Sequence, residues 1–204
     1  MSGTSSTIIQ ETKAMYEIGL ALMAYFYCSF TAKSKQDIRG LLTSVIAQLC
    51  AKSNLCYNII SDLYSRHNAG SQQPEDDTLI RCLKDMLRLP GQPMIYLIVD
   101  ALDECPNNGI ASPRERVLKL LQELVGLCLP NLRICLISRP EADIIADLVS
   151  LASHTISLHD ECGQKKDITD YVRAVVHSDR YMRKWRAADK ELVIHTLSGR
   201  AHGM

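Results

Sequence analysis

The chain reads as an α/β protein built on a parallel sheet, and three observations carry that reading. Met94–Val99 is six apolar residues in a row, the pattern of a strand buried on both faces. Leu20–Phe30 and Leu132–Ser138 are further stretches dense in apolar residues. The segments between them carry apolar residues at helical spacing, and strands alternating with helices argue a parallel sheet with right-handed crossovers.

Residues 5–18 fit a helix with Ile8, Ile9 and Met15 as an incomplete apolar face. After the strand at 20–30, Ile38, Leu41, Leu42, Val45, Ile46 and Leu49 fall at i, i+3, i+4, i+7, i+8 and i+11, one stripe of a long helix. Ser34 and Asp37 resemble a capping pair at its start. Residues 56–67 predict a shorter helix through Ile59, Ile60 and Leu63, and the polar run 68–74 a loop. Thr78–Leu89 predicts a helix with Leu79, Leu83, Met86 and Leu87 inward, ended by Pro90 to Pro93.

Beyond the strand at 94–99, Pro106-Asn-Asn-Gly109 is turn-rich. Ser112 reads as an N-cap with Pro113 at the first helical position and Glu115 at the third. The helix that follows carries Val117, Leu118, Leu121, Leu124 and Val125 on one face. Pro140 then starts a helix through Ile144, Ile145 and Leu148, and His154–Leu158 predicts a short, weak strand. The remainder is helical, with Ile168, Tyr171, Val172, Val175 and Val176 as one stripe and Leu192, Val193 and Leu197 suggesting another. The change from alternating to purely helical pattern near residue 160 divides the chain into a core at 1–160 and the start of a helical domain at 161–204.

Apolar residues make up 47% of the 204 and charged residues 23%, which places the chain among globular proteins. A net charge of zero gives no electrostatic support for a nucleic-acid or anionic-membrane partner. Arg180, Arg183, Lys184 and Arg186 cluster beside Trp185, but Asp189 and Glu191 follow, so the stretch reads as a solvated helix face. None of the eight cysteines forms a C-x-x-C pair. Several, such as Cys128 and Cys135, lie in apolar runs and read as small core residues. With no signal pattern and no apolar stretch of the roughly 18 residues that span a bilayer, the expected location is cytoplasmic, with reduced thiols.

The chemistry concentrates where the strand at 94–99 ends. Asp100 falls at the carboxyl edge of the sheet, where open α/β folds bind ligands. Asp103 and Glu104 follow within one turn. A magnesium–phosphate site needs a carboxylate that holds the metal through water and a second group that orients an attacking water. Asp100 suits the first task. Asp103 or Glu104 suits the second, and the longer arm of Glu104 favours it as the base. The plain alternative is that these acids cap the following loop. Arg139, in Ser138-Arg139-Pro140, ends the next strand on the same edge and could contact a terminal phosphate. A phosphate-cradling loop also needs a glycine–lysine step, yet none of the ten glycines is followed by lysine. Without that loop several charge-assisted hydrogen bonds are lost, each worth about 1.5–3 kcal/mol, against a total of about 8 kcal/mol for micromolar binding.

The run from Tyr96 to Cys105, Tyr-Leu-Ile-Val-Asp-Ala-Leu-Asp-Glu-Cys, resembles the acidic (Walker B) motif of NACHT domains. Tyr25-Phe-Tyr-Cys-Ser-Phe30, Asp37-Ile-Arg-Gly-Leu-Leu42 and Gln48-Leu-Cys50 are similar to the second strand and helix of the fungal, nephrocystin-like branch of this STAND-class P-loop NTPase family. Leu132-Arg-Ile-Cys-Leu-Ile-Ser-Arg-Pro140 resembles its sensor strand, and Asp167-Ile168, Tyr171-Val172 and Leu197–Met204 its later helices. The resemblance implies a three-layer P-loop NTPase-type sheet and an ATP- or GTP-driven signalling switch with magnesium as cofactor. It also implies protein partners or self-association through the NACHT core.

Carried over by position, Asp100 binds magnesium through water, Asp103 and Glu104 supply the hydrolytic acids, and Arg139 senses the terminal phosphate. Ser5-Ser-Thr-Ile-Ile9 looks like the helix just after the P-loop, so the sheet is expected to lack its first strand and loop, leaving the isolated chain unable to bind or hydrolyse nucleotide. In the family the first strand lies between the sensor strand and the last one. Residues 154–158 are then expected either apart from 132–138 or paired with them directly. The alternative is a degenerate, non-catalytic interaction or regulatory fragment. A DNA-binding ATPase would need a basic helix-turn-helix, for which only the mixed-charge stretch 180–191 is available.

Overall fold

The computed structural model describes residues 9–10, 12–13, 15–66, 72–109, 111–157 and 162–200. The chain divides into two compact units, Met1–Ala152 and Ser153–Met204. The first is an α/β unit. Its sheet has three parallel strands in the order β1-β2-β3: β1 is Ala21–Tyr27, β2 Met94–Asp100 and β3 Leu132–Leu136. The register pairs Ala21 with Met94 through Tyr27 with Asp100, and Ile95 with Leu132 through Val99 with Leu136.

Helices connect the strands: α1 (Ile38–Cys50), α2 (Asn54–Arg66) and α3 (Asp76–Leu87) between β1 and β2, and α4 (Pro113–Val125) between β2 and β3. A short helix, α5 (Ala142–Leu148), follows β3. Of the helix expected over 5–18, the described residues from 9 to 17 are helical and Ile18 is in a turn; Ile8 lies outside the described residues. The core forms on one face of the sheet. Leu22, Ala24 and Phe26 of β1 and Ile95, Leu97 and Val99 of β2 join the apolar stripes of α1, α3 and α4 in one buried cluster. Ala21, Met23 and Ile98 point to the other face and are buried outside that cluster, while Tyr25 on the same side is exposed. The main buried cluster thus joins one face of the sheet to one layer of helices, and the other face buries Ala21, Met23 and Ile98 separately.

Local chemistry explains where the elements begin. Asp37 is the N-cap of α1, its carboxylate accepting from the Gly40 amide at 2.8 Å, so it caps alone instead of pairing with Ser34. Ser34 instead lies in a 3-10 turn whose carbonyl packs on Gly40. Ser112 caps α4 as expected, accepting from Glu115 N at 3.1 Å, with Pro113 in the first turn. Helix α5 begins at Ala142 behind Glu141, two residues beyond Pro140. Its Ile144 and Leu148 are buried and its Ile145 is exposed.

The open edge of β1 is blunted by a side chain. Gln48 donates from Nε2 to the Tyr25 carbonyl at 2.8 Å and accepts from the Tyr25 amide at 3.1 Å, taking the place of a neighbouring strand. The helices are tied by Asp76, which accepts from Arg39 of α1 and Arg116 of α4, both at 2.8 Å.

Two expectations fail in the described residues. Residues 154–157 form no strand, and residue 158 lies outside the described residues. His154 to Ser157 are exposed throughout, Ile156 by 75%. Cys128, expected in the core, is exposed and left-handed (φ 50°) in the turn after α4. Among the described residues the buried thiols are Cys28, Cys56, Cys82 and Cys105. The second unit packs α6 (Cys162–Ser178) against α7 (Ala187–Arg200). Of its apolar stripes Val176 is buried, together with Ile194, while Tyr171, Leu192 and Leu197 are exposed.

Gly40 offers a sharp test of this packing. A Cβ there would lie 1.9 Å from the Ser34 carbonyl oxygen, a backbone atom that cannot rotate away. Gly40→Ala is expected to destabilise by roughly 1–3 kcal/mol, despite the better helix propensity of alanine. In urea unfolding Gly199→Ala, with open space at its Cβ, is the control. A Gly40→Ala chain as stable as the unmodified one would refute the close approach.

Candidate functional site

The carboxyl edge of β2 gathers the polar side chains singled out above. Backbone bonds hold this end from both sides: Cys28 N donates to Asp100 O at 2.9 Å, and Ile137 N to Val99 O at 2.9 Å. Strand alternation sends Asp100 to the sheet face opposite the core cluster, the side of Tyr25, Tyr27 and Cys135. There it is 4% exposed, with Oδ1 accepting from the Ala101 amide at 2.9 Å. Its charge is felt on both neighbouring strands. Burial first, then the Asp100 carboxylate, pushes the Tyr27 hydroxyl up from its ordinary pKa. The Cys135 thiol is pushed up by the same two causes in the same order.

The chain turns sharply just past Asp100. Ala101 is left-handed (φ 55°, ψ 43°), a conformation that costs a residue with a Cβ about 1–2 kcal/mol. Leu102–Glu104 then form a 3-10 turn that places each acid against a different neighbour. Asp103 is brought to Arg139: its Oδ1 accepts from Arg139 N at 3.1 Å and Ser138 Oγ at 3.3 Å, and its Oδ2 lies 3.5 Å from Arg139 Nε. Glu104 turns the other way, and its Oε2 accepts from Phe30 N at 3.2 Å in the loop after β1.

The four predicted site residues thus share one edge of the sheet, but only Asp103 and Arg139 touch in these interactions. The Arg139 side chain is 76% exposed. Among the described residues no three acidic, histidine or cysteine side chains are grouped to hold a metal. Magnesium commonly takes one or two protein carboxylates and fills the rest of its octahedron with water and substrate phosphates. A single buried carboxylate at the strand end is consistent with that, and Asp100 is the residue that would hold the ion, through water.

A residue the motif reading passed over holds this edge together. Arg114, at the second position of α4, is 8% exposed. It donates from Nη2 to the Asp103 carbonyl and from Nε to the Cys105 carbonyl at 3.0 Å, and Nη1 meets Asp143 of α5 at 3.3 Å. Asn107 reaches the same Asp143 at 3.0 Å and accepts from Ser112 Oγ at 3.0 Å. One guanidinium therefore fixes both ends of the segment that carries Asp103 and Glu104. The sequence held one signal of this: a cation in the first turn of a helix opposes the helix dipole and needs a compensating reason.

Replacing Arg114 by Met is expected to cost about 3–6 kcal/mol, since two backbone acceptors lose a charged donor worth roughly 1.5–3 kcal/mol each. Arg114→Lys is expected to recover little, because a point charge cannot reach three acceptors in a fixed fork. Urea unfolding measures both, and hydrogen exchange of amides 103–107 should quicken in each. Unchanged exchange there would mean the clamp does not order the turn.

The family described as Nephrocystin 3, N-terminal matches this chain over residues 2–139, a span that includes Asp100, Asp103, Glu104, Arg114 and Arg139. No curated protein and no solved structure matches the chain. The family match covers well over half of the sequence and the whole of the three-stranded sheet, and so the chain belongs to the nephrocystin 3 N-terminal family.

Proposed function

We propose that this chain is a NACHT-type nucleotide-binding signalling switch domain of a STAND-class P-loop NTPase. The observation that carries the reading is Asp100: a buried carboxylate at the end of the central strand, followed at once by a strained turn with two more acids, one of which, Asp103, meets Arg139 beyond the next strand. In this reading Asp100 holds magnesium through water, Glu104 or Asp103 orients the attacking water, and Arg139 senses the terminal phosphate of ATP or GTP. The core spans 1–160 and a helical domain begins at 161. The protein works in the cytoplasm, through protein partners or self-association of the core.

The 204 residues contain no G-x-x-x-x-G-K-[ST] loop. These residues alone therefore supply the metal and sensor half of a site and little of its phosphate affinity. A second reading, a non-catalytic interaction or regulatory module, draws on one observation. Asp103 and Glu104 spend carboxylate oxygens on backbone amides of their own fold, as structural acids do.

Calorimetry with ATP and GTP, with and without magnesium, tests both. The switch reading expects weak, magnesium-dependent binding by this chain, well above micromolar Kd, abolished in Asp100→Ala. Binding that is absent or indifferent to both magnesium and Asp100→Ala would leave the regulatory module as the better account.

A further inference from the structure

Two buried thiols meet where the loop after β1 crosses the acidic turn after β2. The Sγ atoms of Cys28 and Cys105 are 3.3 Å apart, and the residues are 4% and 1% exposed. Both are free thiols. A disulfide has sulfurs about 2.05 Å apart, so a closure of little more than one ångström joins them. The surrounding backbone already holds the two segments together: Cys28 N donates to Asp100 O, and Phe30 N to Glu104 Oε2.

The pair is chemically asymmetric. Cys105 has its carbonyl on the Arg114 guanidinium. The hydrogen bond shared with Cys28, opposed by burial and helped by Arg114, draws the Cys105 thiol below its ordinary pKa. Cys50, Cys56 and Cys82 form a second thiol neighbourhood, without a cation among the groups acting on it. There burial leads in pushing Cys50 and Cys82 up to about 11.

We infer that Cys28 and Cys105 form a reversible disulfide site, oxidised by a small peroxide, that covalently tethers the loop after β1 to the acidic turn. The Cys105 thiolate attacks one peroxide oxygen, the O–O bond breaks, and Cys105 becomes a sulfenic acid as hydroxide leaves. The Cys28 sulfur then attacks the sulfenic sulfur, forming the S–S bond. The sulfenic hydroxyl leaves as water with the Cys28 proton, and the proton that Cys105 gave up on ionising turns the earlier hydroxide into the second water. In sum two thiols and one hydrogen peroxide give one disulfide and two waters, two electrons passing from sulfur to oxygen. Dithiothreitol reverses it by thiol–disulfide exchange. Because both sulfurs are buried, the reaction is paced by local opening of the turn. The bond closes a loop between positions 77 apart in sequence, which restrains the unfolded chain and raises Tm. None of this depends on nucleotide binding.

The test uses the unmodified chain. It is incubated with hydrogen peroxide, its remaining thiols are alkylated in denaturant, and it is digested without reduction for mass spectrometry. The expected product is a peptide linking Cys28 to Cys105, two hydrogens lighter than its parts and lost on dithiothreitol treatment, formed ahead of any link among Cys50, Cys56 and Cys82. The oxidised chain should melt at higher temperature, and Cys28→Ala should show no such gain. Recovery of Cys28 and Cys105 as alkylated thiols, as unlinked sulfinic acids, or linked to other cysteines would overturn the assignment.

Discussion

A buried guanidinium must be surrounded by acceptors, and much of the candidate site follows from how Arg114 meets that demand. Its hydrogen bonds converge on two carbonyls of the acidic turn and on the Asp143 carboxylate. Desolvating a charge costs several kcal/mol unless it is paired and hydrogen-bonded. The turn from Asp103 to Cys105 is therefore held in the one shape that satisfies Arg114. Three separate connections depend on that shape: Asp103 to the end of β3, Glu104 to the loop after β1, and Cys105 to Cys28. The strained Ala101 persists because its neighbours on both sides are pinned.

This arrangement couples the turn after β2 to the chain beyond β1 and beyond β3. The turn after β2 lies centrally because β2 is the middle strand, so its carboxyl end can reach both neighbours. A ligand that recruited Asp103 or Glu104 would have to compete with backbone amides for carboxylate oxygens. Any change at this edge is thereby linked to the ends of β1 and β3.

The sheet's two faces have different roles. One is sealed by α1, α3 and α4 and carries most of the hydrophobic stabilisation. The other carries Asp100, Tyr27 and Cys135, close enough for the carboxylate to raise the pKa of both neighbours. The period of two along a strand makes this division strict: Val99 and Asp100 are adjacent in sequence and face opposite ways.

The amino-acid sequence by itself determined the strands, because a six-residue apolar run has few other uses, and the helices whose stripes are complete. It determined the N-cap at Ser112, where serine, proline and glutamate stand at the required spacing, and it brought Asp100, Asp103, Glu104 and Arg139 to one edge through parallel topology. Tertiary structure alone decided what those groups touch. Pattern could not separate Asp103, tied to Arg139, from Glu104, tied to Phe30, since the difference lies in the left-handed turn at Ala101. Nor could it show that His154–Ser157 form no strand, that Cys128 is exposed while Cys105 is buried, or that Arg114 is the clamp. Those outcomes depend on contacts between residues distant in sequence, and local spacing carries no information about them.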